Sequence, residues 1–148
     1  MNSNQNTRNV TSISTVATLK RRLRDCISTD DYVEVIHALV GTGDRAAIRV
    51  LASLLDSSGP IGEESIAGLI TFGEAAIPAM RKCIDSLDYE MIRHGHRVLA
   101  ALGDEASKQW LRDDDVDRMH AYLDRKGFSE LAWLFLSSNE TDEPNEVA

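Results

Sequence analysis

The chain has 148 residues, of which 43% are hydrophobic and 27% charged, enough length and apolar content for one domain with a core of its own. Aromatics make up only 5%, and the apolar residues are mostly Leu, Ala, Ile and Val. That composition excludes the aromatic and β-branched alternation of a sandwich or barrel and suits closely packed helices. A net charge of −8 with a pI near 4.9 argues against wholesale nucleic-acid binding, which needs a basic face.

The first residues, MNSNQNTRNVTS, are polar and lack the apolar stretch of a signal peptide; residues 1–11 are expected to form a disordered tail. Residues 14–27 then read as one helix with Val16, Leu19, Leu23 and Ile27 on a face, a lone helix that caps the first hairpin. No apolar run approaches the ~18 residues of a membrane span, so the expected location is the cytoplasm, with no membrane partner. Cys26 and Cys83 stand outside any CxxC unit and read as small buried hydrophobes in a reducing compartment.

From there the chain repeats itself. Gly43, Gly73 and Gly103 are spaced by 30 residues. Each is followed by an acid (Asp44, Glu74, Asp104), preceded four positions back by a leucine (Leu39, Leu69, Leu99) and followed three positions on by an alanine (Ala46, Ala76, Ala106). The unit L-x-x-x-G-[D/E]-x-A is that of a helical hairpin. Before each glycine runs a stripe at helical spacing: Val33, Ile36, Leu39 and Val40; then Ile66, Leu69, Ile70 and Phe72; then Ile92, Val98, Leu99 and Leu102. The glycine ends the helix in a left-handed conformation, and the acid caps the next helix and faces the positive end of its dipole. Second-helix stripes come after the turn: Ile48, Leu51 and Leu55; Ile77, Met80 and Ile84, with Pro78 in the first turn where its missing N–H costs little; and a shorter one centred on Trp110 and Leu111.

The stretch MIRHGHRVLAALGDEA resembles the HEAT-like helical repeats of the phycobilisome-lyase type, and GEAAIPAM resembles the second half of such a repeat. The resemblance covers roughly residues 30–112. It implies an all-α, right-handed α-solenoid of HEAT-like hairpins with about eight or nine helices. The repeats fall at about 30–57, 60–87 and 88–113, with a degenerate terminal hairpin at 116–138, all in one domain over 12–138, and an acidic disordered tail over 139–148. Leu123 and Gly127 repeat the leucine–glycine spacing in that hairpin. Two departures stand out: the first repeat lacks the arginine that the third carries at Arg93, and the third's second helix is expected to be cut short by Asp113, Asp114 and Asp115. Such repeats serve many unrelated functions, so the resemblance concerns architecture.

Few residues suggest covalent chemistry or metal binding. No GxSxG, Ser-His-Asp order or paired Cys and His stands out. His94 and His96 project about 200° apart on a helix and cannot chelate one ion; His96 shares the register of Ile36 and Ile66 and is expected to face inward. The run Asp113–Asp115 with Asp117 lacks the central glycine and closing glutamate of a calcium loop, and the glycines of VGTGD are not a dinucleotide fingerprint. The expected protein is therefore not an enzyme and carries no cofactor or metal. In a HEAT-like stack the second helices line the concave face, as the resemblance implies. Their non-core positions include Arg49, Arg81, Lys82, Lys108 and Arg112, a basic row on an acidic chain. A second basic cluster, Lys20, Arg21, Arg22 and Arg24, lies on the capping helix; residues 1–28 carry +4 and the remaining 120 carry −12. The expected function is a protein-binding scaffold that takes another protein or an acidic peptide on that row, as a monomer or weak homo-oligomer. A nucleic-acid-associated module using the same strip, as HEAT-like alkylpurine DNA glycosylases do, is the alternative, and an enzyme is third.

Overall fold

Helix boundaries in this chain follow its glycines and the acids beside them. A computed structural model describes residues 6–127 and 134. It contains α1 (Asn6–Asp25), α2 (Thr29–Gly41), α3 (Ala46–Ala52), α4 (Pro60–Phe72), a single 3₁₀ turn (Gly73–Ala76), α5 (Ile77–Ile84), α6 (Tyr89–Ala101) and α7 (Glu105–Arg125), with no strand among the described residues. Gly43, Gly73 and Gly103 all have positive φ, at 62°, 63° and 99°. After α6 the turn is a full Schellman closure: Gly103 N–H donates to Ala100 O and Asp104 N–H to Leu99 O, satisfying carbonyls that the helix end would orphan. Asp104 accepts from Ser107 N–H at 3.0 Å, the cap expected of that acid, whereas Asp44 accepts from Ala46 N–H at 2.9 Å in the turn before α3, whose N-cap position Arg45 makes no side-chain cap. Glu74 makes no such cap; a 3₁₀ turn intervenes there, and Pro78 enters the first turn of α5.

Two compact units make up the chain, residues 1–108 and 109–148. In the first, α4 packs against α2, α3 and α6, while α3 packs against both α1 and α5. The pairings place α2, α4 and α6 in one layer and α1, α3 and α5 in another. The core between them holds the leucines of the repeat, Leu39, Leu69 and Leu99, with Ile36, Leu51 and Met80, all at most 1% exposed. Neighbouring segments of this unit approach closely at three helical positions that lack a Cβ. One built on Gly62 would run into the Ser57 carbonyl oxygen; on Gly68 it would lie 2.6 Å from Val40 Cγ2, and on Gly95 3.0 Å from Ile84 Cγ2. Such distances are well inside van der Waals contact.

The structure corrects several expectations. Among the described residues the α-helices are fewer than eight or nine. One reason is that Asp113–Asp115 do not end a helix: α7 runs straight through them, because the weak helix propensity of aspartate is easily overridden and Gln109 Nε2 donates to Asp113 Oδ1 one turn on. The expected boundary between a third repeat ending at 113 and a hairpin starting at 116 is thus absent. Of the hairpin's second arm, only residue 134 is described. Trp110 and Leu111 are half-buried rather than core, and Ser107 is the residue that α7 buries. The capping helix begins at Asn6, inside the segment expected to be a tail, and stops at Asp25. Ile27 lies beyond its end and is 94% exposed, because the chain there turns into the capping box of α2 formed by Ser28 and Asp31. Residues 139–148, expected as a tail, lie outside the described residues, as do 1–5, 128–133 and 135–138.

Gly73 has φ 63° and ψ −135°, a region that side chains enter only at about 1–3 kcal/mol. Gly73→Ala is expected to lose about 1 kcal/mol or more, and Gly62→Ala at least as much through backbone displacement. Gly41→Ala, with open space around its Cβ and no positive φ, should be neutral or slightly stabilising. Urea denaturation checks this, and coincident midpoints for the three variants would contradict the register.

Candidate functional site: a grooved basic face on α1, α3 and α5

Arg45 stands at the N-cap of the short helix α3, AAIRVLA, in which Ala47, Ile48, Val50 and Leu51 turn inward and leave Arg45 and Arg49, four residues apart, on one exposed side. On α5 the same logic buries Met80 and Cys83 and leaves Lys82 exposed. Between these helices lies a groove of about 480 Å³, with Ile48, Ala52, Ala79 and Met91 among its apolar lining and Arg45, Arg49 and Lys82 around it. The small residues Ala75, Pro78 and Ala79 keep the α5 side low. A second groove, of about 500 Å³, lies between α1 and α3; Val16, Ala17 and Val50 line it together with Lys20 and Asp44. Arg49 and Ser53 border both grooves, so they form the ridge between them. Among the described residues, Lys20, Arg45, Arg49 and Lys82 form no ion pair, whereas the other cations of the expected row are engaged.

Those engagements separate the row predicted from the sequence. Arg81 donates to Asp104 Oδ1 at 3.3 Å, and Lys108 pairs with Glu105 at 2.8 Å. Arg112, in the second unit, donates to Gln109 Oε1 at 2.8 Å. Of the five residues, the structure therefore brings Arg49 and Lys82 together at one groove and gives Arg81, Lys108 and Arg112 local partners. Arg45 escapes a reading of the sequence because it directly follows the Gly43–Asp44 turn; its i,i+4 relation to Arg49 is the available signal. On the capping helix Lys20 joins the second groove, while Arg22 is held by Glu34 at 3.1 Å.

A Ser–His–Asp grouping does exist, unseen in the sequence, but its order is that of a cap. Ser107, 1% exposed, donates its hydroxyl proton to Asp104 Oδ2 at 2.7 Å and lies 2.9 Å from His96 Nδ1. The hydroxyl thus points at the carboxylate, whereas a nucleophile would give its proton to the imidazole. His94, not His96, is the buried histidine, with Nδ1–H donating to Leu55 O at 2.7 Å. The inward positions of α6 are His94, Gly95, Val98 and Leu99, a stripe that leaves His96 at its margin. Among the described residues no cluster of His, Cys, Asp or Glu could hold a metal ion, and no helix is long and apolar enough to cross a membrane. Burial pushes the Cys83 thiol up, and burial with Asp31 nearby raises Cys26, so neither has thiolate character.

Comparison with family models, with curated proteins and with solved structures yields no match.

Carboxylates that clasp the first unit are held below their ordinary range. The Ser107 hydroxyl, and then Arg81, lower Asp104; the two-point hydrogen bond from Arg97, at 2.6 and 2.9 Å, lowers Glu63; the Ser28 cap lowers Asp31. A depressed folded pKa means that the stabilisation is complete above the ordinary carboxylate values and is lost as pH falls through the folded ones. The melting temperature should therefore fall on acidification below about pH 4. Asp104→Asn should melt lower than wild type at neutral pH and lose less on acidification. Melting curves that fall in parallel for the two proteins would contradict the assignment.

Proposed function

We propose that this chain is a non-enzymatic protein-binding module, a short right-handed HEAT-like solenoid whose α1, α3 and α5 form the concave, partner-binding side. The 30-residue recurrence, the three positive-φ glycines and the alternation of helices between two layers support the solenoid reading. One observation carries the function: Arg45, Arg49 and Lys82 stand without ion-pair partners among the described residues around an apolar groove, in a protein of net charge −8. Surface lysines and arginines lay their stems along apolar concavities and hold their charged heads at the rim. Cations ringing one suit a ligand that offers apolar side chains and carboxylates together. Arginine adds a planar fork that holds a carboxylate at two points. The same cations would also suit phosphate, but the acidic remainder of the chain repels a polyanion at long range. The two free cysteines suit a cytoplasmic setting.

A photo-crosslinking amino acid at Ser53, on the ridge, should yield a partner adduct in extracts of the native host. One at Ala38, an exposed position on α2, should not. The Ser53 adduct should be lost in the Arg49→Glu/Lys82→Glu double variant while the melting temperature stays within a degree or two, the usual scale for surface changes. Equal adducts from both positions, or a Ser53 adduct indifferent to the charge reversals, would overturn this assignment of the face.

A further inference from the structure

We infer that the α1–α3–α5 face reads an acidic segment through two apolar anchors set astride Arg49; the inference rests on the binding role proposed for that face and names the chemistry of the ligand. The two grooves, of about 480 and 500 Å³, share the wall formed by Arg49 and Ser53, one helical turn apart on the outward edge of α3. Each has its own apolar lining: Ile48, Ala79 and Met91 on the α5 side, Val16, Ala17 and Val50 on the α1 side. A ligand lying across α3 would meet groove, ridge and groove in that order. Packed helices have axes about 8–10 Å apart, so grooves on either side of α3 are about 10 Å apart. A partner helix matches that span with side chains at i and i+7, about 10.5 Å along its axis, and places i+3 and i+4 of the same face over the ridge. At the ridge the chemistry changes from apolar to cationic, so those central positions should carry carboxylates.

The charge distribution gives the ligand a direction. The α3–α5 groove has Arg45, Arg49 and Lys82 and no acid among its lining residues. In the α1–α3 groove Lys20 is opposed by Asp44, whose carboxylate already serves the Ala46 N–H. Carboxylates of the ligand therefore cluster over Arg49 and toward α5. Duplex DNA would use the cations and leave both apolar linings wet, so the two classes of ligand separate cleanly in a binding assay.

The test is fluorescence anisotropy of the full chain with labelled helical peptides on an Ala/Gln background. One has Leu at i and i+7 with Glu at i+3 and i+4; a second has both Leu replaced by Ser; a third has its two Leu only one turn apart. The first should bind, and the other two should bind about tenfold more weakly or worse. Arg49→Glu should weaken the first by about tenfold or more with an unchanged melting temperature. If all three bind alike and still depend on Arg49, the face takes acidic chains and the two-anchor inference is wrong while the binding role stands. If none binds, or Arg49→Glu has no effect, the inference is overturned and the Ser53 crosslinking result decides the binding role. Tighter binding of a short DNA duplex than of the first peptide overturns both.

Discussion

The absence of side chains at three helical positions governs how closely the first unit can pack. Gly68 on α4 lets Val40 of α2 lie against the helix backbone, and Gly62 leaves room for the Ser57 carbonyl. Gly95 brings α6 down onto Cys83 and Ile84 of α5. Interiors are packed to crystal-like density, so even one methyl group in such a contact is felt. Because α4 touches α2, α3 and α6, its two glycines set the spacing on which the rest of that unit depends.

Polar clasps then fix the helices in register on that spacing. Glu63 of α4 holds Arg97 of α6, Glu64 of α4 holds His37 of α2 at 2.8 Å, and Asp104 gathers Ser107 and Arg81. Apart from the hydrogen bond of the buried Ser107, these are exposed or half-exposed interactions of modest individual worth; their effect is to specify which residues meet. They also use up most of the charge around the α2–α4–α6 layer. Among the cations left over are Lys20, Arg45, Arg49 and Lys82, beside the two grooves. The face proposed for binding lies where cations beside the grooves have no partner acid among the described residues.

Much of the fold is legible in the sequence because it rests on local rules. A glycine with positive φ and a leucine four residues earlier recur at fixed spacing, and each of these signals is short-range. Ile36 and Leu39 of α2, Ile66 and Leu69 of α4, and Val98 and Leu99 of α6 turn inward as helical periodicity suggests, while Val35, Ser65 and His94 are buried without that signal. What escapes such a reading depends on tertiary context. Aspartate disfavours helix interiors, so the acidic run reads as a helix end, yet α7 passes through it. Ile27 fits the spacing of a stripe whose helix stops before it. The candidate face is half legible: Arg49 and Lys82 meet at a groove as a solvent-facing register suggests, but periodicity cannot tell whether a neighbouring element offers an acid. Arg81 finds Asp104 and Lys108 finds Glu105. Arg45 enters the face because the short α3 starts beside it.

Hydrogen exchange resolved by residue probes the central claim directly, that α4 is the packed centre on which α3 and α5 present their outer face. The buried amides of α4 around Ser65, Ile66 and Leu69 should be the slowest in the chain, exchanging only by global unfolding. Those of α3 and α5 should be protected nearly as long. If α4 exchanges through a local opening while α3 and α5 remain protected, the helix is peripheral and the account of the face built on it is wrong.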